Sequence, residues 1–229
     1  MPLGDWLRAE EMIQTSLDIA LEVDHPHIAG ILDSLGELKL LRNELDEAQE
    51  LLEQGIKIAE ERDKRWYAIQ AMRTLARCFL ARGEYKKAIK TAKDTIKICN
   101  EMGESHFEGL ARLVLAEAYL MKGDAKQCEA ALVELEDDEP ESDFFVLGNI
   151  QRIRGLMSER KGDVKMASHH FNRSLTIFET AEDLYHTALA HLHLGLILAP
   201  GQPKKASGHL ISASQVFRKL QVNHLFEQA

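Results

Sequence analysis

The chain has 229 residues, 45% hydrophobic, 28% charged and 6% aromatic, and its 14 Gly and 5 Pro are too few for disorder, collagen or a turn-dense β fold. A net charge of −9 argues against a broad basic footprint for nucleic acid or anionic lipid. Cys78, Cys99 and Cys128 show no CxxC spacing and read as reduced packing residues of a cytoplasmic protein, not as a disulfide or zinc frame.

In chain order, the apolar spacing predicts eleven helices, at about 5–22, 26–42, 45–62, 65–82, 85–102, 106–122, 125–136, 142–161, 164–181, 184–199 and 203–221. No signal peptide is expected at Met1-Pro2-Leu3-Gly4-Asp5, which lacks a basic stretch and an apolar run. The first turn phrase is Gly4-Asp5-Trp6-Leu7-Arg8-Ala9, and it returns as Asn43 to Ala48, Gly83 to Ala88, Gly123 to Cys128, Gly162 to Ala167 and, more loosely, Gly201 to Ala206. The turn residues at 4, 43, 83, 123, 162 and 201 keep a period of 39 or 40. Glycine suits these turns because it accepts the left-handed conformation without a Cβ penalty. No proline interrupts a predicted helix interior, and Pro26 and Pro140 read as helix-start punctuation. Trp66-Tyr67 opens a helix, as an exposed anchor or, preferably, a buried contact between repeats. Glu136 to Glu139 reads as a solvated loop between repeats. The longest apolar run, Ala188 to Ala199, is broken by His191 and His193 and is too short and polar to span a bilayer.

Small residues fall in register. Gly36, Ala76, Ala116, Gly155 and Gly195 recur in the first helix of each pair, and Ala9, Ala48, Ala88, Cys128, Ala167 and Ala206 in the second. They let paired helices approach closely while larger neighbours such as Leu52, Leu75, Phe79 and Phe171 fill the space. A single pair cannot bury its own apolar face, so the pairs are expected to stack. The expected organisation is one domain, a segment of a longer protein: a half repeat at 1–24, repeats at 25–63, 64–103, 104–141, 142–182 and 183–222, and the start of a further helix at 223–229.

These residues resemble the tetratricopeptide repeat family. The strongest local matches are Leu75-Ala76 with Phe79, Gly83, Tyr85 and Ala88, then Leu115-Ala116 with Tyr119 and Gly123. Leu35-Gly36 with Ala48 and Leu194-Gly195 with Ala206 are weaker. The period exceeds the family's usual 34 residues. The resemblance implies an all-α fold, a right-handed superhelical solenoid of antiparallel helix hairpins, and a non-enzymatic protein-interaction role in signalling or scaffolding. It implies a partner peptide or helix in a concave groove lined by the first helices. Carried over, the groove positions are Asp33, Glu37, Gln70, Arg73, Thr74, Arg77, Leu110, Leu113, Val114, Glu117, Asn149, Arg152 and His193. The charges Asp33 and Glu37 stand opposite Arg73 and Arg77 in adjacent helices, so they either pair sideways or recruit a ligand; Glu117 has the same choice with Arg77. The clamp of chaperone-tail-binding members needs Lys and Asn where this chain has Arg73 and Arg77, so it does not transfer. Self-assembly through the terminal helices is the rival reading.

No catalytic signature stands out. Ser158 to Lys161 fits a bare SxxK string without companions, and Asn172-Arg173-Ser174 fits a glycosylation string in mid-helix. His169, His170, His186, His191, His193 and His209 crowd the last two repeats, but His191 and His193 point about 200° apart on a helix and cannot chelate locally. No cofactor, metal, nucleic acid or membrane partner is expected.

Overall fold

The computed structural model describes residues 6–138 and 143–227. Among them are twelve helices and no strand: α1 Trp6–Glu22, α2 Ile28–Leu41, α3 Leu45–Glu61, α4 Arg65–Ala81, α5 Tyr85–Met102, α6 Ser105–Lys122, α7 Ala125–Asp138, α8 Phe144–Arg160, α9 Val164–Thr180, α10 Leu184–Leu198, α11 Pro203–Leu220 and α12 Asn223–Phe226. All eleven expected helices agree to within two residues at each described end. The twelfth is a single turn where a further helix start was expected. Of the acidic run expected to be a loop, Glu136 to Asp138 instead belong to α7, and Glu139 lies outside the described residues. Pro140 and the first turn phrase at Gly4-Asp5 lie outside the described residues.

The chain divides into two compact units, the first reaching Leu135 and the second beginning at Glu136. In the first, the antiparallel pairs α2–α3 and α4–α5 enclose a core of Ala48, Leu52, Ala71, Leu75, Phe79 and Ala88. In the second, α9 and the hairpin α10–α11 enclose Ala167, Phe171, Leu175, Ala190, Leu194 and Ala206. Burying one such Leu or Phe contributes about 1.5–3 kcal/mol. The registered alanines Ala48, Ala76, Ala88, Ala116 and Ala167 and Cys128 have no exposed surface, as expected of close-approach positions. All three cysteines are free and buried; burial pushes the Cys99 thiol up to about 11.

Most helix junctions share one device. A residue of positive φ turns the chain, and the next backbone N–H reaches back five residues, as in Glu84 N to Phe79 O at 2.9 Å and Asp163 N to Ser158 O at 3.0 Å. Gly83, Gly123 and Gly162 fill this place at φ 76°, 93° and 75°, and Asn43 does so at 64°. The expectation fails at Gly201, which is not among the positive-φ residues. There Gln202 N reaches back four residues to Leu198 O at 2.8 Å, and Pro203 opens α11 at its first turn.

Charge ties α1 to its neighbours. The Lys39 ammonium sits 2.8, 2.7 and 2.9 Å from carboxylate oxygens of Glu10, Glu44 and Glu47, and Arg42 also engages Glu10. These carboxylates overcome desolvation and raise the Lys39 pKa. Trp66 is 42% exposed, yet its ring meets Tyr67 and Phe107 edge-on, with centroids at 5.2 and 5.4 Å. It is therefore both exposed and in contact with the helix of the following repeat.

Candidate functional site

In the first unit, the buried stripe of α2 leaves Asp33 and Glu37 on one side of the helix, four residues apart. Helix α4 repeats the spacing with Arg73 and Arg77, and the two helices pack side by side. Glu37 accepts a hydrogen bond from Arg77 Nη1 and stands 3.8 Å from Arg73 Nη2. The sideways pairing is thus one carboxylate between two guanidinium groups. Arg73 Nη2 also donates to Thr74 Oγ1 at 3.1 Å, and the Thr74 hydroxyl donates to Gln70 O at 3.3 Å.

Asp33 is 6% exposed. Burial pushes its carboxyl above the ordinary aspartate value, while the Arg73 charge and the nearby Thr74 hydroxyl pull it down. Two buried atoms on this face, Asp33 Oδ1 and Arg73 Nε, have no hydrogen-bond partner. Arg73 is itself weakened as a cation by desolvation, which Glu37 opposes. This face therefore holds an incompletely satisfied charge network, which is costly in a low-dielectric setting unless another group completes it.

The other groove positions are placed differently. Leu110, Leu113 and Val114 on α6 are buried, and Glu117 is half-buried. In the second unit, the buried Asn149 Nδ2 donates to Phe145 O at 3.0 Å, and its Oδ1 accepts from Arg152 Nε at 3.1 Å, both within α8. His193 lies flat on Phe171, with centroids 4.9 Å apart and planes 9° apart. The structure brings together Asp33, Glu37, Gln70, Arg73, Thr74 and Arg77; Asn149 and Arg152 form a local pair of their own.

The weaker motif strings are also accounted for. Ser158 Oγ donates to Arg154 O at 3.0 Å within its helix. Ser174 has no exposed surface and donates to Gly148 O at 2.9 Å, tying α9 to α8. His170 pairs with Gln151 at 2.9 Å and His186 with Asp183 at 2.7 Å. His191 meets His209 across the α10–α11 hairpin. Sequence reasoning missed this last pair because its register spans two helices. Among the described residues, no group of three or more His, Cys, Asp or Glu converges as a metal site, and no helix is long and apolar enough to cross a membrane.

Residues 1–61 match the model of the tetratricopeptide repeat family. No curated protein sequence matches the chain. Several solved structures share the fold. BtubC (BKLC) from P. vanneervenii is 17% identical with a TM-score of 0.64, over 94% of this chain and 92% of that one. A Rap protein complexed with Competence and Sporulation Factor is 14% identical with a TM-score of 0.72, over 98% and 67%. The quorum sensor NprR from B. thuringiensis is 13% identical with a TM-score of 0.68, over 94% and 64%. Residues 1–61 thus match the tetratricopeptide repeat model, and the chain as a whole shares the helical-hairpin fold of these structures.

Proposed function

We propose that this chain is a non-enzymatic interaction module that binds a partner peptide or helix on its first-helix face. In this reading it serves as a regulatory or scaffold domain in the cytoplasm. The observation that carries the reading is the unfinished network on α2 and α4, with Glu37 between Arg73 and Arg77 and two buried polar atoms left without partners. A partner carboxylate that replaces Glu37 at Arg77 gains forked hydrogen bonds, and Glu37 is released to water. The likeness to a Rap protein solved with Competence and Sporulation Factor and to the quorum sensor NprR supports a regulatory module that reads a peptide. The three buried, reduced cysteines suit a cytoplasmic setting.

Selection from a random-peptide display library tests this. The parent chain is expected to enrich peptides carrying an acidic residue, and Arg77→Glu, with parental helicity, to lose them. Enrichment of the same peptides by both proteins places binding elsewhere and overturns the site.

A further inference from the structure

Helix α5 turns a face of a single charge sign away from the core of the first unit. Its buried side is Ala88, Ala92, Thr95 and Cys99. At about 100° per residue, Lys86, Lys90, Lys93 and Lys97 fall within an arc of about 60° on the opposite side. All four are exposed. At 1.5 Å of rise per residue they span about 16 Å of helix.

Most of this stripe is not neutralised. Lys93 lies over the Tyr119 ring, 5.7 Å from its centroid. Among the described residues, Lys86, Lys90 and Lys97 join no ion pair. Elsewhere in the unit, Lys39, Arg42, Arg77, Arg82 and Arg112 each engage a carboxylate. On α5 itself, Asp94 stands at the edge of the stripe and Glu101 is held by Arg65. Like charges three and four residues apart weaken a helix, so the stripe works against the folding of α5.

The neighbouring surface restricts what fits over these lysines. Helix α3, packed on α4 as α5 is, carries exposed Asp46, Glu50 and Glu53 at the repeat positions of Lys86, Lys90 and Lys93. A broad polyanion such as duplex nucleic acid meets that acidic face beside the basic one and is repelled by it. A narrow acidic segment avoids it. The lysine spacing of four, three and four is that of one helix face, and it reads the same in both directions. Its axial steps are about 6, 4.5 and 6 Å, whereas same-side residues of an extended chain recur every 6.6 Å or so and fall out of step. Half-buried Ile89 and Ile96 flank the stripe on one side and add apolar contact. We propose that this face of α5 is a second docking surface, separate from the first-helix face, for an acidic α-helix of a protein partner. Carboxylates at i, i+4, i+7 and i+11 of that helix meet the four ammonium groups in charge-assisted hydrogen bonds.

Fluorescence anisotropy with a labelled, alanine-rich helical peptide bearing glutamates at those four positions tests the surface. The purified parent chain is expected to bind it saturably, and more weakly as salt is added. An isomer of the same composition, with the glutamates spread around the helix, is expected to bind about tenfold more weakly or less tightly still. The double variant Lys90→Glu, Lys93→Glu, with parental helicity, is expected to lose the peptide. Arg77→Glu is expected to keep it, which separates this surface from the first-helix site. Equal binding of the two isomers, retention by the double variant, loss in Arg77→Glu, or no saturable binding by the parent overturns the proposal. Duplex DNA competing as well as the peptide overturns the choice of partner.

Discussion

The two units build the same hairpin with different chemistry. In the first, Glu44, Lys64, Glu84 and Glu104 make no side-chain cap ahead of α3 to α6, while Asp124 accepts from Gln127 N at the start of α7. The gaps between helices are held by alanine packing and by ion pairs between elements, such as Lys39 with Glu10, Glu37 with Arg77 and Arg82 with Asp46. In the second, Asp143, Asp163 and Asp183 each accept hydrogen bonds from the first-turn N–H groups of α8, α9 and α10. There Gly148 lies under Phe178, Gly155 under Phe171 and Gly195 under Leu210, as Gly30 lies under Tyr67 and Gly36 under Leu52 in the first. Surface ion pairs are worth about 0–1 kcal/mol each, whereas an Asp cap is worth about 1 kcal/mol and a buried Phe considerably more. The difference is one of proportion: α8, α9 and α10 of the second unit start on Asp caps and two of its glycines lie under phenylalanine, whereas α3 to α6 of the first start uncapped and are tied by ion pairs between elements.

This contrast can be broken at its strongest point. Ala88 has no exposed surface and sits in the first unit's core. Ala88→Arg forces a charge and a long side chain into that gap and is expected to cost more than about 4 kcal/mol, seen as loss of the first unit's cooperative melting. A parental melt refutes the assigned register of the repeats. The next effect separates the two packing styles. A Cβ added at Gly155 would stand 2.5 Å from the Phe171 ring, which has no exposed surface and little room to yield. Gly155→Ala should cost about 1–3 kcal/mol despite its better helix propensity, by thermal or urea melting. Smaller still is the cap. Asp163→Ala is expected to cost about 1 kcal/mol in the second unit, while Glu84→Ala costs less, since Glu84 caps nothing; paired urea melts read the difference.

The finest distinction is one of sign. Asp33 binds its proton more tightly when folded, so its contribution is present at acid pH and is lost as pH rises through its raised pKa. His191 and His209 bind protons less tightly when folded, so their contribution is present above pH 6.5 and is lost as pH falls through their lowered pKa values. Acidification from pH 7 toward 4 should therefore favour the first unit through Asp33 and weaken the second through the histidine pair. Hydrogen exchange resolved by helix checks this. Asp33→Asn should flatten the first response and His209→Asn the second.

How far the sequence carries can be judged from particular residues. The apolar spacing placed α3, α4 and α5 almost to the residue because each helix's pattern is local to it. The 39- to 40-residue period identified Ala48, Ala88 and Ala167 as close contacts because equivalent positions repeat the same geometry. The Glu37–Arg77 pairing was visible as an alternative because it follows from that period. The His191–His209 pair was not visible, since it depends on the rotation of α10 against α11, which no spacing within one helix encodes. The triple engagement of Lys39 was missed for the same reason, with Glu10 on α1 and Glu44 and Glu47 at the start of α3. The burial of Leu110, Leu113 and Val114 also lies beyond spacing, because a leucine facing a groove and one facing a core share one period.

The buried cysteines have a use of their own. Cys78, Cys99 and Cys128 sit on α4, α5 and α7, and each is sealed from solvent. At about 11, the Cys99 thiol is protonated at neutral pH and inert to alkylating reagents while its helices stay closed. Each thiol is therefore a built-in clock for the opening of its own helix. The order in which the three are labelled under native conditions would trace how the first unit comes apart, with no engineered probe added to the chain.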